Sequence, residues 1–218
     1  MRSRAPKAQR PDEKSQRREL ILEAARELCG SAGAPAFTMA ELAEATGLSK
    51  GTMYLYFESK EQVFLALLEG ELAEWSMFVD EELDELRGAD EVGDLLAGSL
   101  VERPLLTRLL AMLQTIEQGL DAKSVRRLKR TLREGVLQLG EGLEHAVPGL
   151  RGRGVELVLL LNAVVIGVEH MADPPAATRQ AMRAEGAMVL QIDRSRALAR
   201  GVAALFHGLQ HAPERRKR

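Results

Sequence analysis

The 218-residue sequence predicts an all-α protein, on three observations. Aromatic residues make up only 4% while Leu, Ala, Glu and Arg dominate, a mix that favours helix over strand. Apolar residues recur at helical spacing from about residue 12 onward. No stretch shows the strict apolar–polar alternation of a half-buried strand. Apolar content of 45% and charged content of 28% are those of a globular domain, and the length allows a small domain followed by a larger one.

Residues 1–11 hold Pro6 and Pro11 among basic residues and are expected to form a flexible basic arm. A first helix starts near Asp12, with Leu20, Ile21, Ala24, Ala25 and Leu28 as its apolar stripe. Gly30, Gly33 and Pro35 stop it. Thr38 opens a second, short helix, because Thr38-Met39-Ala40-Glu41 is a capping box. Ser49 caps a third helix through Phe57, and Ser59 a fourth running to about Leu86. The fourth carries Val63, Phe64, Leu67, Leu68, Leu72, Trp75 and Val79 on one stripe.

Further helices are expected near 90–98, 104–118, 122–146, 153–171, 175–190 and 193–209, with Pro148 and Pro174-Pro175 as breaks. The tail 213–218 ends in four basic residues and is expected to be frayed and solvated. The resulting division is 1–11 arm, 12–60 first domain, 61–212 second domain and 213–218 tail.

Net charge is −2, so the molecule as a whole is not a polyanion binder. Its distribution matters more. Residues 1–18 hold seven basic residues against Asp12 and Glu13, whereas 61–86 hold nine acids and no base. The polar, basic first eighteen residues argue against a secretory leader. The most apolar run, Val155 to Val168, contains Glu156 and Asn162 and reads as a buried helix too short for a bilayer. Cys29 is alone and cannot form an internal disulfide. A cytoplasmic protein with no membrane partner is expected.

The informative segment is 38–57. A helix-turn-helix needs a small residue where its second helix crosses the first, and Ala43 stands there. Its turn needs a residue tolerant of positive φ, and Gly47 follows four residues later. Leu42, Leu48 and Met53 close the inside, which leaves Lys50, Thr52, Tyr54 and Tyr56 facing out toward a major groove.

The continuation is more specific. Gly51-Thr52-Met53-Tyr54-Leu55-Tyr56-Phe57-Glu58-Ser59-Lys60-Glu61 closely resembles the signature of the TetR family of bacterial repressors. There the recognition helix ends in Tyr-x-(His/Tyr)-Phe and runs into a Ser-Lys-Glu helix start. The Ala-Ala pair of the first helix, the Gly that follows it and the Phe37-Thr38 entry also match. The resemblance covers about residues 15–68; the rest matches only in length, helicity and order.

That resemblance implies roles. Tyr54 and Tyr56 would contact backbone phosphates, as would Thr38 and Lys60, the last aided by its helix dipole. Lys50, Gly51 and Thr52 would face base edges, with Lys50 aimed at guanine O6 or N7, and Ser49 completes the DNA-binding set. The arm would add minor-groove or phosphate contacts. Met39-Ala40 departs from the pattern, lacking the basic or hydroxyl residue often found there. Taken singly, Tyr54, Tyr56 and Lys60 would read as surface aromatics and a solvated lysine.

The resemblance further implies a C-terminal body that binds a small-molecule effector, forms a homodimer and moves the fourth helix when the effector binds. Recognition helices spaced for half-sites roughly 34–36 Å apart would then no longer match the operator. Trp75, Phe78, Met112, Gln114, Ile116, Leu137, Asn162 and His170 are candidate pocket residues facing inward, with plain core packing as the alternative for the apolar ones. Asn162 interrupts an apolar run, and its amide needs a ligand, a water, a second subunit or a core partner. His170 reads either as a pocket wall or, with Glu169, as a helix-end surface pair. The dimer interface is expected on the helices near 153–171 and 193–209, the latter through Ala197, Leu198, Gly201, Val202, Ala204 and Leu205.

No phosphate-binding Gly-rich loop, Gly-x-Ser-x-Gly elbow or zinc-protease motif is present, so no catalytic residue, cofactor or metal is expected. His207 and His211 have metal-capable spacing but sit at a helix end expected to fray. The alternative is a helix-turn-helix regulator controlled by a protein partner or lacking an effector; an all-α enzyme and a membrane-surface helical protein are less favoured.

Overall fold

In the computed structural model the described residues are 11–31 and 37–211, so most of the predicted arm, the Gly33–Pro35 stop and the tail lie outside them. Among the described residues there are eleven α-helices and no strand. They are α1 (Pro11–Ser31), α2 (Met39–Thr46), α3 (Lys50–Tyr54), α4 (Lys60–Leu83), α5 (Ala89–Val101), α6 (Pro104–Ala111), α7 (Leu113–Gln118), α8 (Ala122–Ala146), α9 (Gly154–Ala172), α10 (Ala176–Ala184) and α11 (Arg194–His211). The chain forms two compact units, residues 1–67 and 68–218.

In the N-terminal unit α1 buries Ile21, Leu22, Ala25 and Cys29. Leu20, expected on that stripe, is 50% exposed. At 3.6 residues per turn it falls on the far side of the helix from Ala25 and Cys29, and Leu22 takes its place. Leu42, Ala43, Met53, Phe57 and Val63 complete this core. The Phe37 and Phe64 rings meet with centroids 4.6 Å apart, and the Arg18 guanidinium lies over the Phe57 ring at 5.2 Å.

Several boundaries differ from the sequence reading: α4 ends at Leu83 rather than near Leu86, and α10 at Ala184 rather than near 190. α3 ends at Tyr54, not Phe57. The Leu55 and Tyr56 N–H groups bond to Thr52 and Met53 carbonyls at 3.1 and 2.9 Å, and these i→i−3 bonds tighten the chain into a turn. The expected 104–118 helix is two, α6 and α7, broken at Met112, whose φ −92 and ψ 0 lie in the sparsely populated bridge region. α9 corrects the expectation of a buried helix too short for a bilayer: it runs 19 residues, long and apolar enough by composition to cross one, and Leu157, Leu161 and Val165 are buried on one side while Val155, Leu159 and Leu160 are exposed on the other.

The C-terminal unit is organised by close helix approaches. α8 and α9 meet where a β-carbon on Gly154 would stand 2.0 Å from the Gly140 carbonyl oxygen. Glu144 of α8 locks the same corner, its carboxylate accepting from the Gly152 and Gly154 N–H groups at 2.8 Å each. α9 and α11 meet at Gly201, where a β-carbon would stand 2.8 Å from Val164 Cγ1. The small residue expected at a dimer interface therefore serves packing within one chain. Leu198 and Val202 likewise point inward, Val202 and Phe206 lying beside Gly93 of α5.

Gly154→Ala is expected to cost about 1–3 kcal/mol, because α8 and α9 must separate to admit the methyl group. Gly135→Ala, in the same α8 with open space around it, should instead stabilise by roughly 0.5–1 kcal/mol. Thermal melts should move the two variants in opposite directions.

Candidate nucleic-acid interface

The capping box fixes the entry to α2. The Glu41 N–H donates to Thr38 Oγ1 at 3.2 Å, and the Thr38 N–H donates to Glu41 Oε2 at 2.7 Å. The Thr38 hydroxyl also donates to the same carboxylate at 2.9 Å. The backbone N–H of Thr38, and next its hydroxyl, hold the Glu41 carboxyl below its ordinary value.

α2 stops at Gly47, which has φ 65 and ψ 16, the left-handed conformation the turn required. The Leu48 N–H then reaches back to the Ala43 carbonyl at 3.0 Å and the Gly47 N–H to Glu44 at 3.1 Å, satisfying the end of α2. Two residues on, Ser49 caps α3: its hydroxyl accepts from the Thr52 N–H at 3.1 Å and lies 2.9 Å from the Thr52 hydroxyl. Leu42 and Met53 are fully buried, while Leu48 is only half-buried.

This leaves α3 with an open side. Lys50, Gly51 and Tyr54 are exposed, Thr52 and Tyr56 half-buried. A β-carbon on Gly51 would meet nothing closer than Ser49 Oγ at 3.9 Å, so packing within the chain does not demand a glycine there. Thr38, Ser49 and Lys60 are exposed or half-exposed at the three helix starts, although the hydroxyls of Thr38, Ser49 and Thr52 are already engaged in capping bonds. Lys60 opens α4, whose first turn is capped by Ser59 Oγ accepting from the Gln62 N–H at 3.3 Å. Its ammonium group lies 3.9 Å from the Glu61 carboxylate.

Leu55 was not among the sequence candidates, yet it is 76% exposed between the two tyrosines. Its exposure follows from the early end of α3, which helical periodicity in the sequence does not reveal.

The candidate effector residues separate in the C-terminal unit. Trp75 is buried and its Nε1–H donates to Ser99 Oγ at 2.9 Å. Ile116 is buried; Met112 and Phe78 are half-buried, with the Arg103 guanidinium 4.7 Å from the Phe78 ring centroid. Gln114, Leu137 and His170, expected to face inward, are on the surface, because α8 buries the side carrying Leu128, Leu139 and Leu143 and α9 the side carrying Leu157, Leu161 and Val165, while Gln114 follows the break at Met112. Asn162 is half-buried at the rim of the exposed side of α9, not enclosed. Glu169 does not pair with His170; it is buried and pairs with Arg194 at 2.9 Å. A polar depression of about 400 Å³ lies between α6, the end of α9 and the start of α11, walled by Arg108, Asp173 and Arg194, and none of the eight candidates lines it.

Comparison with known proteins places both units. Residues 21–67 match the family model for bacterial regulatory proteins of the tetR family, and residues 69–213 match the tetracyclin repressor-like C-terminal domain. The nucleoid occlusion factor SlmA of Shewanella amazonensis is 31% identical over 145 residues, which cover 61% of this chain and 74% of that protein. The fatty acid degradation regulator FadR from Bacillus halodurans superposes with a TM-score of 0.58 at 19% identity, over 94% of this chain and 100% of that one. FadR of Thermus thermophilus, a TetR-family repressor solved with lauroyl-CoA, gives a TM-score of 0.54 at 23% identity, over 92% and 98%. The last two likenesses are of fold.

Because the folded-state pKa of Glu41 is depressed, its contribution to stability is present at neutral pH and is lost as pH falls through the carboxylate range. Glu41→Gln should therefore melt below the unsubstituted chain at pH 7, with the gap closing toward pH 3. Thr38→Ala should cost about 1 kcal/mol at neutral pH by removing the cap hydroxyl.

Proposed function

The chain belongs to the TetR family of bacterial regulators, and from that premise we propose that it is a repressor which grips a palindromic operator as a homodimer and releases it when a small apolar effector enters the C-terminal unit. Its DNA-binding character follows from the family. The observation that carries the reading is the turn at Gly47, which leaves the Lys50, Gly51 and Tyr54 side of a capped five-residue helix open.

Lys50 would then read base edges, with Gly51 admitting the groove wall and Thr52 held in place by Ser49. Tyr54, Tyr56, Thr38 and Lys60 would contact phosphates. The position of Lys60 supports this: at the positive end of a 24-residue helix, with Glu61 only loosely paired to it at 3.9 Å, a cation is better placed when a further anion joins it. Leu55 would meet sugar or a thymine methyl group.

The dimer reading rests on α9, where Val155, Leu159 and Leu160 are exposed, Leu159 at 56%. Such an apolar ridge on one side of a helix fits a second copy better than water. α11 would add Ala203 and Ala204 rather than Leu198 and Val202. The effector would sit among Trp75, Phe78, Met112 and Ile116, the candidates that are buried or half-buried in the C-terminal unit. The likeness to a nucleoid occlusion factor supports a second reading, a regulator whose DNA binding serves a protein partner rather than a small molecule.

A footprint on the DNA flanking the chain's own gene should show a protected inverted repeat; absence of protection on any palindromic fragment at low salt would overturn the repressor reading. Lys50→Ala should cost about 1–3 kcal/mol on the operator and relax the preference at one base pair, whereas Tyr54→Phe should weaken all sequences alike. Leu160→Glu should shift the sedimentation coefficient to that of a monomer and abolish the footprint. An effector should raise the melting temperature and weaken operator binding together, while a partner-controlled regulator would show neither effect with apolar compounds.

A further inference from the structure

The N-terminal half of α8 carries six cations and no acid between Lys123 and Arg133. Two of them are neutralised within the chain, Arg127 by Glu69 at 3.2 Å and Lys129 by Glu117 at 2.5 Å. The other four, Lys123, Arg126, Arg130 and Arg133, recur at intervals of three, four and three residues and are all exposed. That spacing puts them on one side of the helix, opposite Ser124, Leu128, Leu139 and Leu143, which are buried. The guanidinium groups of Arg126, Arg130 and Arg133 have no carboxylate within ion-pair distance among the described residues. Glu69 and Glu117 thus take the two flanking cations and leave Arg126, Arg130 and Arg133 as an unpaired stripe along about 10 Å of helix at 1.5 Å per residue, with Asp121 near Lys123 at one end and Glu134 following at the other.

We propose that this stripe is a second DNA-contacting surface, on the C-terminal unit, which binds the phosphate backbone of duplex DNA without reading its sequence. In a molecule of net charge −2, three adjacent unpaired arginines on one face repel one another, and a line of phosphates relieves that repulsion. Duplex DNA offers such a line at matching scale, one phosphate per roughly 3.4 Å of axis on each strand. A bilayer fits less well. The apolar side of α8 is turned into the core, so the helix has nothing to insert between lipids. DNA is also the polyanion that the family's N-terminal unit brings to the molecule at high local concentration. The inference rests on the chain being a DNA-binding regulator but not on its operator or effector.

The test uses the full-length chain and the triple variant Arg126→Ala/Arg130→Ala/Arg133→Ala, with the triple Arg→Lys variant as the charge-preserving control. Binding is followed by fluorescence anisotropy across NaCl concentrations, on a duplex of about two helical turns holding the operator and on the same operator inside about six turns. The unsubstituted chain and the lysine variant should bind the long duplex more tightly and with a steeper salt dependence than the short one. The alanine variant should lose that increment, its log K against log[salt] slope on the long duplex falling by up to about 0.9 per arginine removed, while its short-duplex affinity stays unchanged. Equal slopes for alanine variant and unsubstituted chain on the long duplex would overturn the proposal, as would a loss confined to vesicles of phosphatidylglycerol. Failure of all three proteins on the short duplex would count instead against the operator-binding reading.

Discussion

The geometry of the DNA-binding unit depends on one backbone torsion, the left-handed conformation of Gly47. Open space surrounds the position of its absent β-carbon, so the constraint is torsional rather than one of crowding. A side chain there would have to bear roughly 1–2 kcal/mol of left-handed strain. Because the chain reverses at that residue, Leu48 can return its N–H to Ala43, Ser49 arrives where it can cap α3, and Met53 falls inward. Each of those contacts would be out of register if α2 ran one turn further, and the open side of α3 would then face elsewhere.

That unit was largely legible in the sequence because its determinants are local. A capping box, a glycine four residues past a small residue and a serine two residues further specify their hydrogen bonds within a few positions of chain. The structure honours all three. Leu20 and Leu55 escaped for the complementary reason. Which side of α1 is buried, and whether α3 continues past Tyr54, are decided by what packs against those helices rather than by their own residues.

The C-terminal unit was legible as a succession of helices but not as a set of faces. Periodicity shows that a helix has an apolar side; it does not say whether a neighbour in the same chain or a second chain covers it. Gly201, Leu198 and Val202 look like interface residues until Val164 and α5 are seen against them. The contact between Gly140 and Gly154 is hidden more deeply still. It joins the body of one helix to the first residue of another, and neither glycine lies in a recognisable turn. The basic stripe of α8 is only partly legible because Glu134, Glu141 and Glu144 offset half of that helix's six Lys and Arg charges, and only the ion pairs show which cations remain unmatched.

The chain has a single tryptophan, and its indole is enclosed in the C-terminal unit with its N–H bound to Ser99. Any ultraviolet emission excited at the red edge therefore originates from one known place. Nothing in the N-terminal unit contributes to it, since the two tyrosines there are spectrally separate. The molecule thus contains its own optical gauge of the interior around α4 and α5, one that responds to a change in polarity or hydrogen bonding at that point without any attached dye.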